Sequence, residues 1–156
     1  IDRGVSTWGK NILKKGSPKL DEFDLFYLFF WVGLSTGKKT STKGLDMKDT
    51  GSGKTYTAAY KGLKDMLGTV LVMSTSKSNG FNSRESLTTA IEKYMDSSSA
   101  TALSQEGEEL MMNYVQSGYL HMKRIMAEPT EPDVFIFRAY KEIEEGFSDN
   151  KDWNFS

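Results

Sequence analysis

The segment Gly51-Ser52-Gly53-Lys54-Thr55 has the residue types that end a phosphate-binding loop. In such a loop, glycines let backbone N–H groups converge on an anion, lysine contacts the outer phosphates, and Ser or Thr contacts Mg²⁺. The full spacing G-x-x-x-x-G-K-[ST] also requires a glycine at the position that Lys48 occupies. The loop pattern is therefore incomplete.

The surroundings of this segment also differ from those of a nucleotide site. A phosphate loop follows a buried strand, whereas residues 35–49 are polar and rich in lysine. A helical pattern and then the β-branched run Thr69 to Met73 follow it, as in helicases, but no acidic pair comes after them to hold Mg²⁺. We keep nucleotide binding through a degenerate loop at Gly51 to Thr55, with Lys54 on phosphate and Thr55 on Mg²⁺, as the alternative function.

Lysines are concentrated in a segment rich in Gly, Ser and Thr, and we predict a flexible basic loop over residues 35–54. Lysines can contact a nucleic-acid backbone, which gives affinity without sequence information. An ordinary solvated connector is the other interpretation. The hypothetical nucleic-acid or phosphate contacts are Lys38, Lys39, Lys43, Lys48, Lys54 and Thr55.

Composition excludes several kinds of chemistry. The chain has no cysteine and one histidine, which excludes disulfides, thiol nucleophiles, Cys-based zinc sites and multi-histidine metal sites. His121 has no acidic partner nearby in sequence, so we expect a structural role for it. We predict no catalytic residue, no metal site and no cofactor. The net charge of −1 leaves the partner open.

Apolar residues recur at helical spacing along most of the chain. We predict a mainly α protein, a helical bundle of about five to seven helices in a single domain over residues 1–156, with at most a minor strand element. The run Thr69 to Met73 fits a helix or a strand. We expect the last helix to run from Pro132 to Glu145 and stop at Gly146, followed by a polar tail from about residue 147.

Local signals predict details of these helices. Ser104 is placed to cap a long helix, and Gly118 lies on the apolar stripe of that helix, where glycine is often kept for close packing. We predict a turn over residues 76–83, with Asn82 as the following cap. Glu142 belongs to an acidic group that we interpret as a solvated helix end.

The most apolar stretch runs from Phe23 to Leu34, after Asp21 as a plausible N-cap. Its pattern predicts a helix buried on nearly all faces, in the core or in a subunit interface. We name Phe29, Phe30 and Trp31 as the hypothetical partner interface. The stretch is shorter than the roughly 20 apolar residues that a membrane span needs. We therefore expect a soluble, cytoplasmic protein without a membrane partner.

Residues 23–39 and 103–126 together resemble small helical proteins associated with bacterial DNA phosphorothioation (Dnd-type) defence clusters. In that group an apolar helix ends in a turn with glycine and a basic residue, here Gly33 to Lys38, and a later helix carries a Tyr-x-x-x-Gly step, here Tyr114 to Gly118. The resemblance implies a small accessory subunit that docks to larger nuclease, ATPase or modification proteins on DNA. It transfers no catalytic residue.

We therefore expect a non-enzymatic accessory or interaction subunit of a bacterial nucleic-acid-processing or anti-phage defence complex. Its partners would be larger protein subunits, with DNA backbone contact through the basic loop.

Overall fold

The protein is mainly α-helical, as predicted. The computed structural model describes residues 8–9, 11–12, 20–43, 60–79, 83–126 and 131–149. Within these ranges the helices are α1 (Glu22–Ser35), α2 (Lys64–Asn79), α3 (Arg84–Tyr94), α4 (Gln105–Ile125) and α5 (Pro132–Asp149). A 3-10 turn, Lys61–Leu63, precedes α2, and residues 8–9 and 11–12 are also helical. These ranges contain no strand, only an isolated bridge between Met95 and Leu103.

Residue contacts divide the chain into two compact units. One comprises residues 1–48 and 112–156, and the other comprises residues 49–111. The division falls within α4, so residues 112–125 of that helix belong to the first unit. The prediction of a single domain stays a prediction.

In the first unit, α1 begins at the predicted N-cap. The Asp21 side chain accepts from the Asp24 backbone N–H at 2.8 Å, and the Asp24 side chain accepts from the Asp21 N–H at 2.7 Å. This reciprocal pair satisfies two backbone donors, because the first N–H groups of a helix have no partner inside it.

The core of the first unit is aromatic. The Phe29 ring lies 5.8–6.2 Å, centroid to centroid, from the rings of Trp8, Tyr119 and Phe135. All four side chains are buried, and α1 packs along α5. Edge and tilted arrangements of this kind add about 0.5–1.5 kcal/mol per pair beyond burial.

Two glycines allow α1 to contact α4 backbone to backbone. A methyl group built on Gly33 would overlap the Tyr114 carbonyl, and one built on Gly118 would overlap the Phe29 carbonyl. The close packing predicted at Gly118 is confirmed.

In the second unit, α2 packs against α3, and the run Thr69 to Met73 is helical. Leu67 and Leu71 lie one turn apart and are at most 1% exposed. The Thr69 hydroxyl donates to the Asp65 carbonyl at 2.8 Å. Burial of a helical face thus overrides the β-branched composition, which is only a weak preference.

Two predicted helix boundaries were wrong. Residues 76–79, predicted as a turn, belong to α2, and α3 is capped by Ser83, whose hydroxyl accepts from the Ser86 N–H at 3.2 Å. Asn82 lies outside the described residues. The last helix passes through Gly146, where a methyl group would lie 2.6 Å from the Ser35 hydroxyl. This glycine therefore permits close packing and does not end the helix.

The predicted cap of the long helix is confirmed. The Ser104 hydroxyl accepts from the Gly107 N–H at 3.1 Å and donates to the Lys93 carbonyl at 2.5 Å. None of the helices in the described ranges has the length and apolarity needed to cross a bilayer.

Candidate phosphate-binding site

The turn after α1 carries the first two lysines of the predicted basic loop. Gly37 has a φ of 67°, a left-handed conformation that glycine adopts without strain, and its N–H donates to the Leu34 carbonyl at 3.0 Å. The chain therefore reverses after Ser35, and Lys38 and Lys39 follow directly.

Hydrogen bonds to α4 hold this turn in place. The Thr40 N–H donates to the Asn113 carbonyl at 3.2 Å, and the Thr42 N–H donates to the Asn113 side-chain oxygen at 3.1 Å. Thr40 and Thr42 are thus both anchored to the same residue of α4, Asn113. Backbone placed in this way presents its lysines beside the helix.

A cleft of about 400 Å³ opens between the turn and α4. Three cationic side chains, Lys38, Lys39 and Arg124, line it, and none of the described residues in its lining carries a carboxylate. Its other lining residues are Thr36, Thr40, Ser117, Leu120 and His121. Cations together with hydroxyl donors are the groups that hold phosphate oxygens in proteins. We call this the basic cleft.

Lys39 is partly desolvated in the basic cleft. Its ammonium group lies 5.5 Å from the centroid of the Tyr114 ring. Burial lowers the pKa of Lys39 from its usual value, because removal of water disfavours the charged form. A bound anion would offset this cost.

A second cleft of about 450 Å³ adjoins the first and has the opposite character. Glu142, Glu145 and Asp149 line it, and it shares Thr36, Lys38 and His121 with the basic cleft. We call it the acidic cleft. The described residues contain no group of three or more His, Cys, Asp or Glu side chains that could hold a metal ion.

His121 stands in the wall between the two clefts and has an acidic partner. Its Nε2 lies 2.5 Å from Oε2 of Glu142, whose Oε1 accepts from Arg138 at 2.6 Å. On the other side of the ring, Nη2 of Arg124 lies 3.4 Å from Nδ1. Both ring nitrogens are therefore engaged.

This cluster was not predicted from the sequence, and the solvated helix end predicted for Glu142 was wrong. That residue is only 8% exposed and lies within α5, not at a solvated helix end. His121 and Glu142 stand on different helices, and no local spacing signals their contact. The i, i+4 spacing of Arg138 and Glu142 was the one visible signal.

The predicted basic residues are only partly brought together. Lys38 and Lys39 line the basic cleft, and Lys43 is exposed at the end of the described turn. Lys48, Lys54 and Thr55 lie outside the described residues, as does the whole segment Gly51 to Thr55. Arg124, which sequence reasoning did not select, completes the cleft.

The predicted partner-interface residues lie mostly inside the protein. Phe29 and Phe30 are at most 1% exposed, so neither ring can reach a partner unless the core opens. Trp31 is half-buried, and its ring lies 6.3 Å from that of Phe147. The burial predicted for this helix is thus confirmed, while its role as an interface stays a prediction.

The chemistry of the basic cleft is electrostatic. It offers cations and hydroxyl donors, and both nitrogens of its imidazole contact a neighbouring side chain.

Comparisons of the chain with models of protein families, with curated proteins and with solved structures found no match.

Proposed function

We propose that this protein is a non-enzymatic accessory subunit that contacts the phosphate backbone of nucleic acid through the basic cleft. One observation carries the proposal: Lys38, Lys39 and Arg124 converge on a cleft whose described lining has no carboxylate. Opposite charge at short range and release of counterions from the nucleic acid would drive binding.

The overall composition agrees with a local site of this kind. The chain has a net charge of −1, so general attraction to nucleic acid is weak and binding depends on the cleft. A few phosphate contacts give modest, salt-sensitive affinity. Such a protein works beside larger subunits that supply the rest of the affinity and the chemistry.

His121 contacts Glu142 through Nε2 and Arg124 through Nδ1, so both neighbours orient the ring in the wall of the basic cleft. The larger setting, a cytoplasmic bacterial nucleic-acid-processing or anti-phage defence complex, rests on the sequence resemblance.

The experiment is a titration of a dye-labelled single-stranded oligonucleotide, followed by fluorescence anisotropy at several salt concentrations. We expect binding at low salt that weakens as salt rises, and its loss when Lys38, Lys39 and Arg124 are all changed to Gln. Lys61→Gln is the matched control, because Lys61 is exposed and lies in the second unit. A triple variant that binds as tightly as the control would overturn the proposal.

A further inference from the structure

We infer that His121 makes anion binding in the basic cleft depend on pH: protonation of its imidazole adds a charge to the cleft and releases Arg124 to contact phosphate. The inference rests on the proposed function, since the anion is the phosphodiester group that the cleft would hold. It assigns a regulatory role to a residue that the proposed function itself does not use.

The geometry fixes which nitrogen carries the proton in the neutral ring. An ionised carboxylate only accepts hydrogen bonds, so Nε2, which lies 2.5 Å from Glu142, must be the donor. The lone pair of a neutral imidazole then resides on Nδ1. Nη2 of Arg124 lies 3.4 Å from that atom and points a donor at it.

Neutral His121 therefore holds Arg124 against the wall of the cleft. Protonation places a hydrogen on Nδ1, so that both nitrogens are donors and neither accepts. The bond from Arg124 is lost and a contact between like charges replaces it, which drives the guanidinium away from the ring. The cleft gains the charge of the imidazolium and the free donors of Arg124, and both favour a phosphate.

The other charges around His121 place this change on the side of the basic cleft. From α5, Glu142 faces Nε2, and Arg138 binds the other oxygen of that carboxylate. From the turn, Lys38 lines both clefts beside the ring and Lys39 lines the basic cleft. Glu145 and Asp149 line only the acidic cleft. Nε2 bonds Glu142 in both states, so only the hydrogen bond at Nδ1 changes.

Two properties make the response easy to isolate. The chain contains a single histidine, and histidine is the side chain whose charge ordinarily changes between about pH 5 and pH 8. The His121 side chain is 17% exposed, so protons from solvent can reach it. Phosphodiester groups keep their single negative charge over the same range, so a change in affinity reports on the protein.

The test measures the affinity of a rhodamine-labelled single-stranded oligonucleotide at constant low ionic strength from about pH 5.5 to pH 8.5. For the unaltered protein we expect the Kd to fall by about tenfold from the alkaline to the acidic end. The imidazole Cε1–H resonance of the single histidine, followed by proton NMR, should titrate with the same midpoint as the affinity.

His121→Gln is the decisive variant, because its amide can still donate to Glu142 but cannot gain a proton. We expect its affinity to be independent of pH. Arg124→Gln, at an exposed position, should bind more weakly throughout and keep only about a threefold response, from the imidazolium charge alone.

The outcomes separate the inference from the proposed function. Binding that is equally tight at every pH in the unaltered protein, or a pH response that survives in His121→Gln, would overturn the inference and leave the proposed function standing. A failure of the unaltered protein to bind the oligonucleotide at any pH would overturn the proposed function and the inference with it. Circular dichroism at both ends of the pH range confirms that each protein is folded.

Discussion

The backbone of Gly118 lies directly against the carbonyl group of Phe29, with no room between them for a methyl group. Gly33 makes the reciprocal approach from α1 to the Tyr114 carbonyl on α4. Two small residues, one on each helix, thus let the helices cross in backbone contact. This crossing fixes the start of the turn that carries Lys38 and Lys39, because the turn follows α1 and is bonded to Asn113 of α4.

We expect Gly118→Ala to lower the free energy of unfolding by about 3 kcal/mol, because the new methyl group meets backbone that cannot move alone. Urea denaturation followed by circular dichroism measures the change. Gly62→Ala is the matched control: nothing lies within 4 Å of the methyl group it would add, so its effect should stay within about 0.5 kcal/mol. Equal stability of the two variants would contradict the close crossing.

The role of Gly118 could be predicted because the residue interrupts an apolar stripe, where a glycine weakens the helix unless another backbone approaches. The residues of α1 that it contacts could not be predicted, since the sequence alone does not show which two helices pack together. The same limit applies to the cleft. Lys38 and Lys39 stand in a basic segment that the sequence displays, whereas Arg124 joins them only through the packing of α4 against the turn.

The run Thr69 to Met73 shows a different limit. Its β-branched residues suit a strand, but its length and the apolar residues on either side also suit a helix. Tertiary burial decided between them, since Leu67 and Leu71 are buried on one face of α2. The contact of His121 with Glu142 lay beyond sequence reasoning for a related reason, because it forms between helices and not within one.

We expect Glu142→Gln to lower the free energy of unfolding by about 1–3 kcal/mol near neutral pH. The variant removes the charge that His121 and Arg138 both contact, in a residue that is only 8% exposed. Glu145→Gln should change stability by less than about 0.5 kcal/mol, because Glu145 and its partner Lys141 lie 3.6 Å apart at half-exposed positions. Urea denaturation measures the free energy of unfolding of both variants. Similar decreases would mean that the contacts of Glu142 with His121 and Arg138 do not stabilise the protein more than the exposed pair does.

Lys39→Gln should weaken oligonucleotide binding and reduce the slope of log K against log salt by about one unit. The ammonium of Lys39 is one of the three positive charges of the basic cleft. When a phosphate contact is removed, binding releases fewer counterions from the nucleic acid, so the affinity depends less on salt. The slope is measured by repeating the anisotropy titration at several salt concentrations. Lys61→Gln should leave it unchanged, and an unchanged slope in Lys39→Gln would remove that lysine from the site.

The turn after α3 provides a prediction about pH and stability. The Asp96 carboxylate accepts from the Ser98 hydroxyl at 2.6 Å and from the Ser98 N–H at 2.9 Å. These bonds, the hydroxyl first, hold the pKa of Asp96 below its usual value. A folded-state pKa that is lowered stabilises the protein above the usual Asp range, and this stabilisation is lost as pH falls through the folded-state pKa.

Asp96→Asn should therefore be less stable than the unaltered protein at neutral pH, and the difference should shrink as the solution is acidified through the pKa of Asp96. Urea midpoints measured at intervals from about pH 7 to pH 2.5 follow the difference. Ser98→Ala removes the hydroxyl that contributes most to the lowered pKa, so the pH-dependent part should be smaller in that background. A difference between Asp96→Asn and the unaltered protein that stays constant across the range would mean that the bonds from Ser98 do not distinguish the ionised from the neutral carboxyl.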